Sequence, residues 1–132
     1  MKPNTALCDL NLPLIIPVDK GECHNEAEVA ILIKSPLKHV TPQQAMQGVW
    51  GIGIGLDLTL RHVQKALKSL GRPWELAKAF DNAAPLSPFF PLNEFDDVQN
   101  ITFELFVNSE LRQQGHTQKM IRTVAELLSI IS

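Results

Sequence analysis

Apolar and polar residues follow two different periods along the chain, and each change of period marks an element. Residues 1–21 show neither period. Pro3, Pro13 and Pro17 interrupt Leu10, Leu12, Leu14, Ile15 and Ile16, which predicts extended segments joined by turns. From Glu26 to Lys34 the run Glu-Ala-Glu-Val-Ala-Ile-Leu-Ile-Lys predicts a strand. Thr41-Pro42 opens a short helix, with threonine as its cap and proline at the first helical position. Val49 to Leu58 predicts a second strand, in which Gly51, Gly53 and Gly55 alternate with Ile52, Ile54 and Leu56. Glycine at every second position strips one face of side chains, so another segment is expected to pack closely against it. The glycines do not form a phosphate loop, since the later glycine and the Lys-Ser/Thr pair are missing.

Helical spacing takes over from Thr59 to Leu70, where Leu60, Val63, Leu67 and Leu70 share one face and Arg61, Gln64 and Lys68 the other. Gly71 and Pro73 end this helix. Pro85, Pro88 and Pro91 then predict a loop region to about Asn100. Ile101 to Val107 alternates as a strand, Asn108-Ser109 stands where a two-residue turn belongs, and Glu110 to Gln114 returns as a hairpin. Thr117 is expected to cap a last helix through Met120, Ile121, Val124, Leu127, Leu128 and Ile131. No repeat, low-complexity tract or linker divides the 132 residues, so one domain is expected.

Charge narrows the function. Twelve Lys and Arg stand against fourteen Asp and Glu, a net charge of −2, which argues against a nucleic-acid binder. No apolar run reaches the roughly 18–20 residues that cross a bilayer. The opening Met1-Lys2-Pro3-Asn4 lacks a secretory pattern, so a cytoplasmic location is expected. Cys8 and Cys23 match no zinc or disulfide framework and read as structural thiols. His24, His39, His62 and His116 are scattered without metal-ligand spacing.

The most informative pair is Glu26 and Glu28. In a strand, residues two apart face the same side, roughly 6.6–7 Å from each other, and here that face continues into Ala30 and Leu32. Like charges so placed are costly unless a cation or a proton compensates, and a hard divalent ion suits carboxylate oxygens. Asp57, at the end of the glycine-rich strand, is the natural third ligand. Arg61 and Gln64, one helical turn apart beyond it, would share a face near the aspartate, and the arginine fork suits a substrate carboxylate. Lys78, a lone cation among apolar neighbours, suits a developing oxyanion. Each residue also has a plainer reading: a solvated strand face, a helix cap, a solvated helix face and a surface lysine, respectively.

These residues sit inside longer motifs. The string Lys2-Pro3-Asn4-Thr5-Ala6-Leu7, the block His24-x-Glu26-x-Glu28-x-Ala30 and the block Gly55-Leu-Asp57-Leu-Thr-Leu-Arg61-x-Val-Gln64 occur in that order. Pro73-Trp74-x-x-Ala77-Lys78-x-Phe80-Asp81, Pro85-Leu86-Ser87 and Val107-Asn108-x-Glu110-x-Arg112-Gln113-x-Gly115-x-Thr117 follow. Together they resemble the fumarylacetoacetate hydrolase family over nearly the whole chain, most nearly its bacterial acylpyruvase and fumarylpyruvate hydrolase branch. The resemblance implies an α+β fold, a mixed β-roll with flanking helices, a homodimer and a Mg²⁺ or Mn²⁺ site. It assigns Glu26, Glu28 and Asp57 to the metal, Lys78 to catalysis, and Arg61 and Gln64 to the substrate. The implied activity is hydrolysis of a C–C bond in an acylpyruvate-type 2-oxo acid, with decarboxylase and isomerase activities as sister functions.

The departures from the family pattern carry an expectation of their own. Met1 stands directly before Lys2-Pro3, where the family has a Gly-x-Asn-Tyr-x-x-His-x-x-Glu segment whose His and Glu activate water. Ser132 comes before the family's Thr-Gly-Thr-Pro-x-Gly-Val-Gly loop. On that reading the chain is an incomplete β-roll with weak or no turnover, a remnant that binds metal and oxo acid, or a module that pairs with a full-length relative. Asn25, His62 and Ser109 replace a second His, an Asp and a Gly. The first two are expected to alter the surroundings of the metal ligands and Arg61.

Overall fold

The computed structural model describes residues 2–132. In chain order its strands and helices are β1 (Leu7–Asp9), β2 (Cys23–His24), β3 (Ala27–Ile33), α1 (Pro42–Gln47), β4 (Val49–Leu56), β5 (Thr59–Leu60) and α2 (Arg61–Ser69). They continue as α3 (Glu75–Lys78), β6 (Ala84–Leu86), β7 (Phe90–Pro91), β8 (Thr102–Val107), β9 (Glu110–His116) and α4 (Val124–Ile131). The main sheet runs β1–β6–β4–β3, with β7 also on β4. Parallel and antiparallel pairs coexist in it: β1 is parallel to β6 through Cys8↔Pro85, and β4 is antiparallel to β6 through Gly55↔Leu86. The fold is α+β with mixed sheets, as expected. No helix among the described residues is long and apolar enough to cross a membrane.

The chain divides into two compact units, residues up to 30 with 53–88, and residues 31–52 with 89–132. In the first, Ala6, Ala83 and Ala84 are buried with Phe80 packed on them, and Leu58, Thr59 and Leu60 are almost fully enclosed. Such small side chains let β1 and β6 lie close. Pro85 sits in the middle of β6 although proline cannot donate to a ladder. The bonds there come from its neighbours, Leu10 N–H to Leu86 O and Ser87 N–H to Ile54 O, each 2.9 Å. That arrangement places a strand where prolines predict only loop.

In the second unit Ala45, Val49, Val124 and Leu128 form the core, with Ile31, Val40, Met46, Leu92 and Val98 around them. Here α1 begins with Thr41 as cap, its hydroxyl accepting from Gln44 N–H while the Gln44 side chain accepts from Thr41 N–H. The hairpin β8–β9 also forms where the alternation predicts it, though β9 extends to His116 and a bulge falls between Leu105 and Phe106. At its turn Asn108 and Ser109 both adopt positive φ, 51° and 67°. Asparagine tolerates that conformation, whereas serine carries a steric penalty there.

Close packing against the glycine-rich strand is confirmed. A Cβ on Gly51 would lie 2.1 Å from the Phe90 carbonyl oxygen, and one on Gly55 2.8 Å from a Leu86 methyl.

Further element boundaries differ from expectation, among them β4, which ends at Leu56 and not Leu58. Glu26 has φ 45°, so it precedes β3 instead of belonging to it. The helix expected from Thr59 begins at Arg61, because β5 pairs with β2 through Cys23↔Leu60 and His24↔Thr59. The last helix begins at Val124: Thr123 and Glu126 make its capping box. Thr117 is buried at a short 3₁₀ turn, and its hydroxyl accepts from Ile101 N–H at 2.9 Å.

Candidate active site

All six residues singled out for chemistry lie in the first unit. Backbone bonds from distant segments position them. Asp57 follows β4, and its N–H donates to the Glu26 carbonyl at 2.9 Å, joining the two acidic residues through the main chain. Leu58 N–H donates to Ala83 O at 3.1 Å, and Arg61 N–H donates to Glu22 O at 3.0 Å. Thus Arg61 starts α2 beside the segment that carries His24 and Glu26. Lys78 ends α3, its N–H bonded to Trp74 O at 3.1 Å.

Side chains complete the network. The Lys78 ammonium donates to Glu26 Oε2 at 2.8 Å and to Asp57 Oδ2 at 2.6 Å. Arg61 donates from Nη2 to Glu26 and from Nη1 to Gln64 Oε1 at 2.6 Å, while its Nε donates to His24 Nδ1 at 3.4 Å. So Glu26, Asp57, Arg61, Gln64 and Lys78 form one connected group. Glu28 stands apart from it: the side chain is exposed and makes no hydrogen bond or ion pair to any described residue. It does share a cavity of about 290 Å³ with Lys2 and Asp57. The positive φ at Glu26 is the reason the two glutamates do not project as one strand pair.

Electrostatics follow from that geometry. Burial raises the pKa of Asp57, yet the Lys78 hydrogen bond and the Lys2 ammonium outweigh it and hold the carboxyl below its ordinary value. Burial also works against the charge on Lys78, but Asp57 and Glu26 push its pKa up, so the ammonium stays charged. Desolvation and then the Asp57 charge push Glu28 upward, with Lys78 partly offsetting them. Both thiols are pushed up chiefly by burial, in keeping with unreactive structural cysteines.

Lys2 joins this cluster although patterning does not mark it. Its ammonium lies 2.9 Å from Asp57 Oδ1, donates to Leu58 O at 2.8 Å and to Lys78 O, and sits 5.7 Å from the centre of the Phe80 ring. Nothing in hydrophobic periodicity marks it; only its place in the Lys2-Pro3 string does. His62 makes no bond to Glu26, Glu28 or Asp57. Its Nδ1 accepts from Glu22 N–H at 3.2 Å, so it braces the segment leading to β2.

The donor chemistry suits a divalent cation. Three carboxylates offer hard oxygen ligands. Asp57 Oδ1 is buried without a hydrogen bond of proper geometry, having only the Lys2 ion pair, and Glu28 has no cationic partner in contact. In the present arrangement Lys78 bridges Glu26 and Asp57, and among the described residues no three His, Cys, Asp or Glu side chains converge as a ready ligand set. Three carboxylates (Glu26, Glu28, Asp57) face three cations (Lys2, Arg61, Lys78), so the cluster is neutral as it stands and a dication would make it a trap for anions.

Comparison with known proteins extends the geometry. Residues 1–132 match the family model described as fumarylacetoacetate (FAA) hydrolase, C-terminal. The chain is 50% identical over 133 aligned residues to the oxaloacetate tautomerase YcgM of Escherichia coli (strain K12), covering all of this chain and 61% of that protein. A solved fumarylacetoacetate hydrolase family protein from Yersinia pestis CO92 superposes with a TM-score of 0.96 at 46% identity, over 98% of this chain and 62% of that one. Fumarylpyruvate hydrolase from Pseudomonas aeruginosa, solved in complex with Mn²⁺ and pyruvate, gives 0.92 at 34% identity, over 99% of this chain and 58% of that one. The chain therefore spans about three-fifths of the length of these relatives.

Proposed function

Because the chain belongs to the fumarylacetoacetate hydrolase family, we propose that it carries the acid–lysine site of an enzyme that interconverts the keto and enol forms of oxaloacetate. The carrying observation is 50% identity, across the whole chain, to a protein named for that reaction. The connected Glu26–Asp57–Lys78–Arg61 group supports it. In the proposal Glu26, Glu28 and Asp57 hold Mg²⁺ or Mn²⁺, which when bound supplies Lewis-acid stabilisation of charge on the 2-oxo oxygen.

This chain's own side chains have separate tasks. Tautomerisation moves one proton from C3 to the C2 oxygen; no bond between carbons breaks and no water is consumed. Lys78, fixed by two carboxylates, presents a permanent positive charge toward the oxygen that becomes negative. Arg61 offers its guanidinium to the substrate's carboxylate, and Gln64 orients that guanidinium through the 2.6 Å bond. Lys2 keeps Asp57 ionised and placed.

Hydrolysis of a C–C bond in an acylpyruvate is the second reading, favoured by likeness to the hydrolase solved with Mn²⁺ and pyruvate. It needs a group that activates water, and such a base is worth about 10²–10⁴-fold. The chain is further proposed to act as a homodimer or beside a full-length relative. Ile121, Ile130 and Ile131, 98%, 63% and 76% exposed, offer apolar surface for pairing.

The test is a pair of assays on one preparation with Mn²⁺: decay of enol-oxaloacetate absorbance, and pyruvate release from fumarylpyruvate. Enol decay abolished by Glu26→Gln supports tautomerisation. Pyruvate release without enol decay transfers the assignment to the hydrolase reading.

A further inference from the structure

A cavity of about 850 Å³ in the first unit is continuous with the acid–lysine group, since Lys2, Asp57 and Lys78 all line it. Its other walls include Gln64, Arg72 and Trp74. Among its cations, Lys2 and Lys78 are committed to Asp57 and Glu26. Arg61, held by Glu26, Gln64 and His24 outside this lining, serves the carboxylate beside the 2-oxo group in the reading above. Arg72 differs. Its backbone N–H donates to Leu67 O at 2.9 Å, but its guanidinium bonds no other side chain among the described residues.

The backbone fixes where Arg72 stands. Gly71, at φ 62°, ends α2 in the left-handed conformation, and its N–H donates to Lys68 O at 3.1 Å. Pro73 then restricts Arg72 to extended conformations. Arg72 is exposed on that wall, and with no anionic partner among the described residues its guanidinium is available to an anionic ligand. Charge counting agrees: Lys2, Arg72 and Lys78 against Asp57 and Glu75 leave the cavity at +1.

Building on the oxo-acid reading proposed above, we infer that Arg72 grips the carboxylate at the far end of the substrate, so that the site selects dicarboxylic 2-oxo acids over those with one carboxylate. The guanidinium fork matches a carboxylate with two parallel hydrogen bonds, which an ammonium does not. Trp74, 42% exposed on the same wall, flanks the carbon chain between the two carboxylates.

The experiment compares oxaloacetate with 2-oxobutanoate, its match in length without the second carboxylate. Binding to the Mn²⁺-loaded full chain is read by tryptophan fluorescence within seconds of mixing. The wild type is expected to bind oxaloacetate at least about tenfold more tightly, as one charge-assisted pair provides. Arg72→Leu removes that preference while leaving the Kd for 2-oxobutanoate in place, and Arg72→Lys restores part of it. A purely structural Arg72 would weaken both acids alike and leave their ratio unchanged. An intact ratio in Arg72→Leu overturns the assignment while the oxo-acid site stands. Failure of the wild type to bind either acid overturns the oxo-acid reading and this inference with it.

Discussion

The two units of the chain are held together by opposite means. In the first, Glu26 and Asp57 are bridged by Lys78 and paired with Arg61 and Lys2, in the same unit as the small apolar cluster of Ala6, Ala83, Ala84 and Phe80. In the second, helix α1 meets helix α4 over Ala45, Val49, Val124 and Leu128, with no charged group in the core. Taking charges out of water costs several kcal/mol per ion, and pairing them recovers little more than that cost. Apolar burial has no such debt, at about 25 cal/mol per Å². The comparison teaches that the ionic cluster adds little to stability once its desolvation is counted, and that stability in this chain is better sought in the second unit.

The sharpest way to break the contrast is Lys78→Met. It removes the bridge between Glu26 and Asp57, and on the proposed tautomerase reading enol turnover at saturating oxaloacetate is expected to fall by about 10²–10³-fold. Leu128→Ala should do the reverse. It opens a cavity in the apolar core at a cost of about 2–5 kcal/mol, read as a lower urea midpoint, while Mn²⁺ affinity of the folded protein stays put. Loss of Mn²⁺ affinity in that variant would erase the distinction between the units.

Smaller effects sharpen the picture within the second unit. Thr123→Ala removes the cap of α4 and should cost about 1 kcal/mol in thermal or urea unfolding. The Glu126 carboxyl, held below its ordinary 4.5 by backbone and side-chain hydrogen bonds with Thr123, adds a pH dependence. A lowered folded pKa gives stability that is complete above the ordinary value and lost as pH falls through the lowered one. Glu126→Gln, which removes the titrating carboxyl, should therefore show a flatter stability profile below about pH 4.5 than the wild type. Ser109→Gly is the smallest change and the one expected to help. Glycine accepts φ 67° without strain, so the unfolding midpoint should rise by an equivalent of up to about 1 kcal/mol.

How much of this was legible depends on where each element finds its hydrogen bonds. The hairpin β8–β9 and helix α1 are local, satisfied by neighbours or by a box such as Thr41 with Gln44, and the pattern of residues reveals them. The break at Thr59–Leu60 is not local. Arg61 N–H reaches Glu22 O, and β5 pairs with β2, so two residues with helical spacing stay extended. The same holds for β6, whose bonds go to Leu10 and Ile54 across a proline that reads as loop. In the site, the grouping of Glu26, Asp57, Arg61, Gln64 and Lys78 was foreseen from residue type and motif. The pairing of Lys2 with Asp57 and the place of Arg72 on the cavity wall are set by tertiary contacts that no pattern of residues marks.

The ties between Glu22 and Glu26 and the segment from Asp57 to Arg61 also govern which insertions the chain tolerates. Between Leu10 and Gly21 the backbone runs irregular and largely exposed, and a residue gained or lost there leaves every site atom where it was. From Glu22 onward the freedom disappears. Arg61 N–H to Glu22 O, the two-residue β2–β5 pairing and Asp57 N–H to Glu26 O fix three points within five residues. A single insertion there would shift Glu26 away from Lys78 and slide Arg61 off its partner in the same stroke. Length variation in descendants of this sequence should therefore collect before Gly21 and stop abruptly after it.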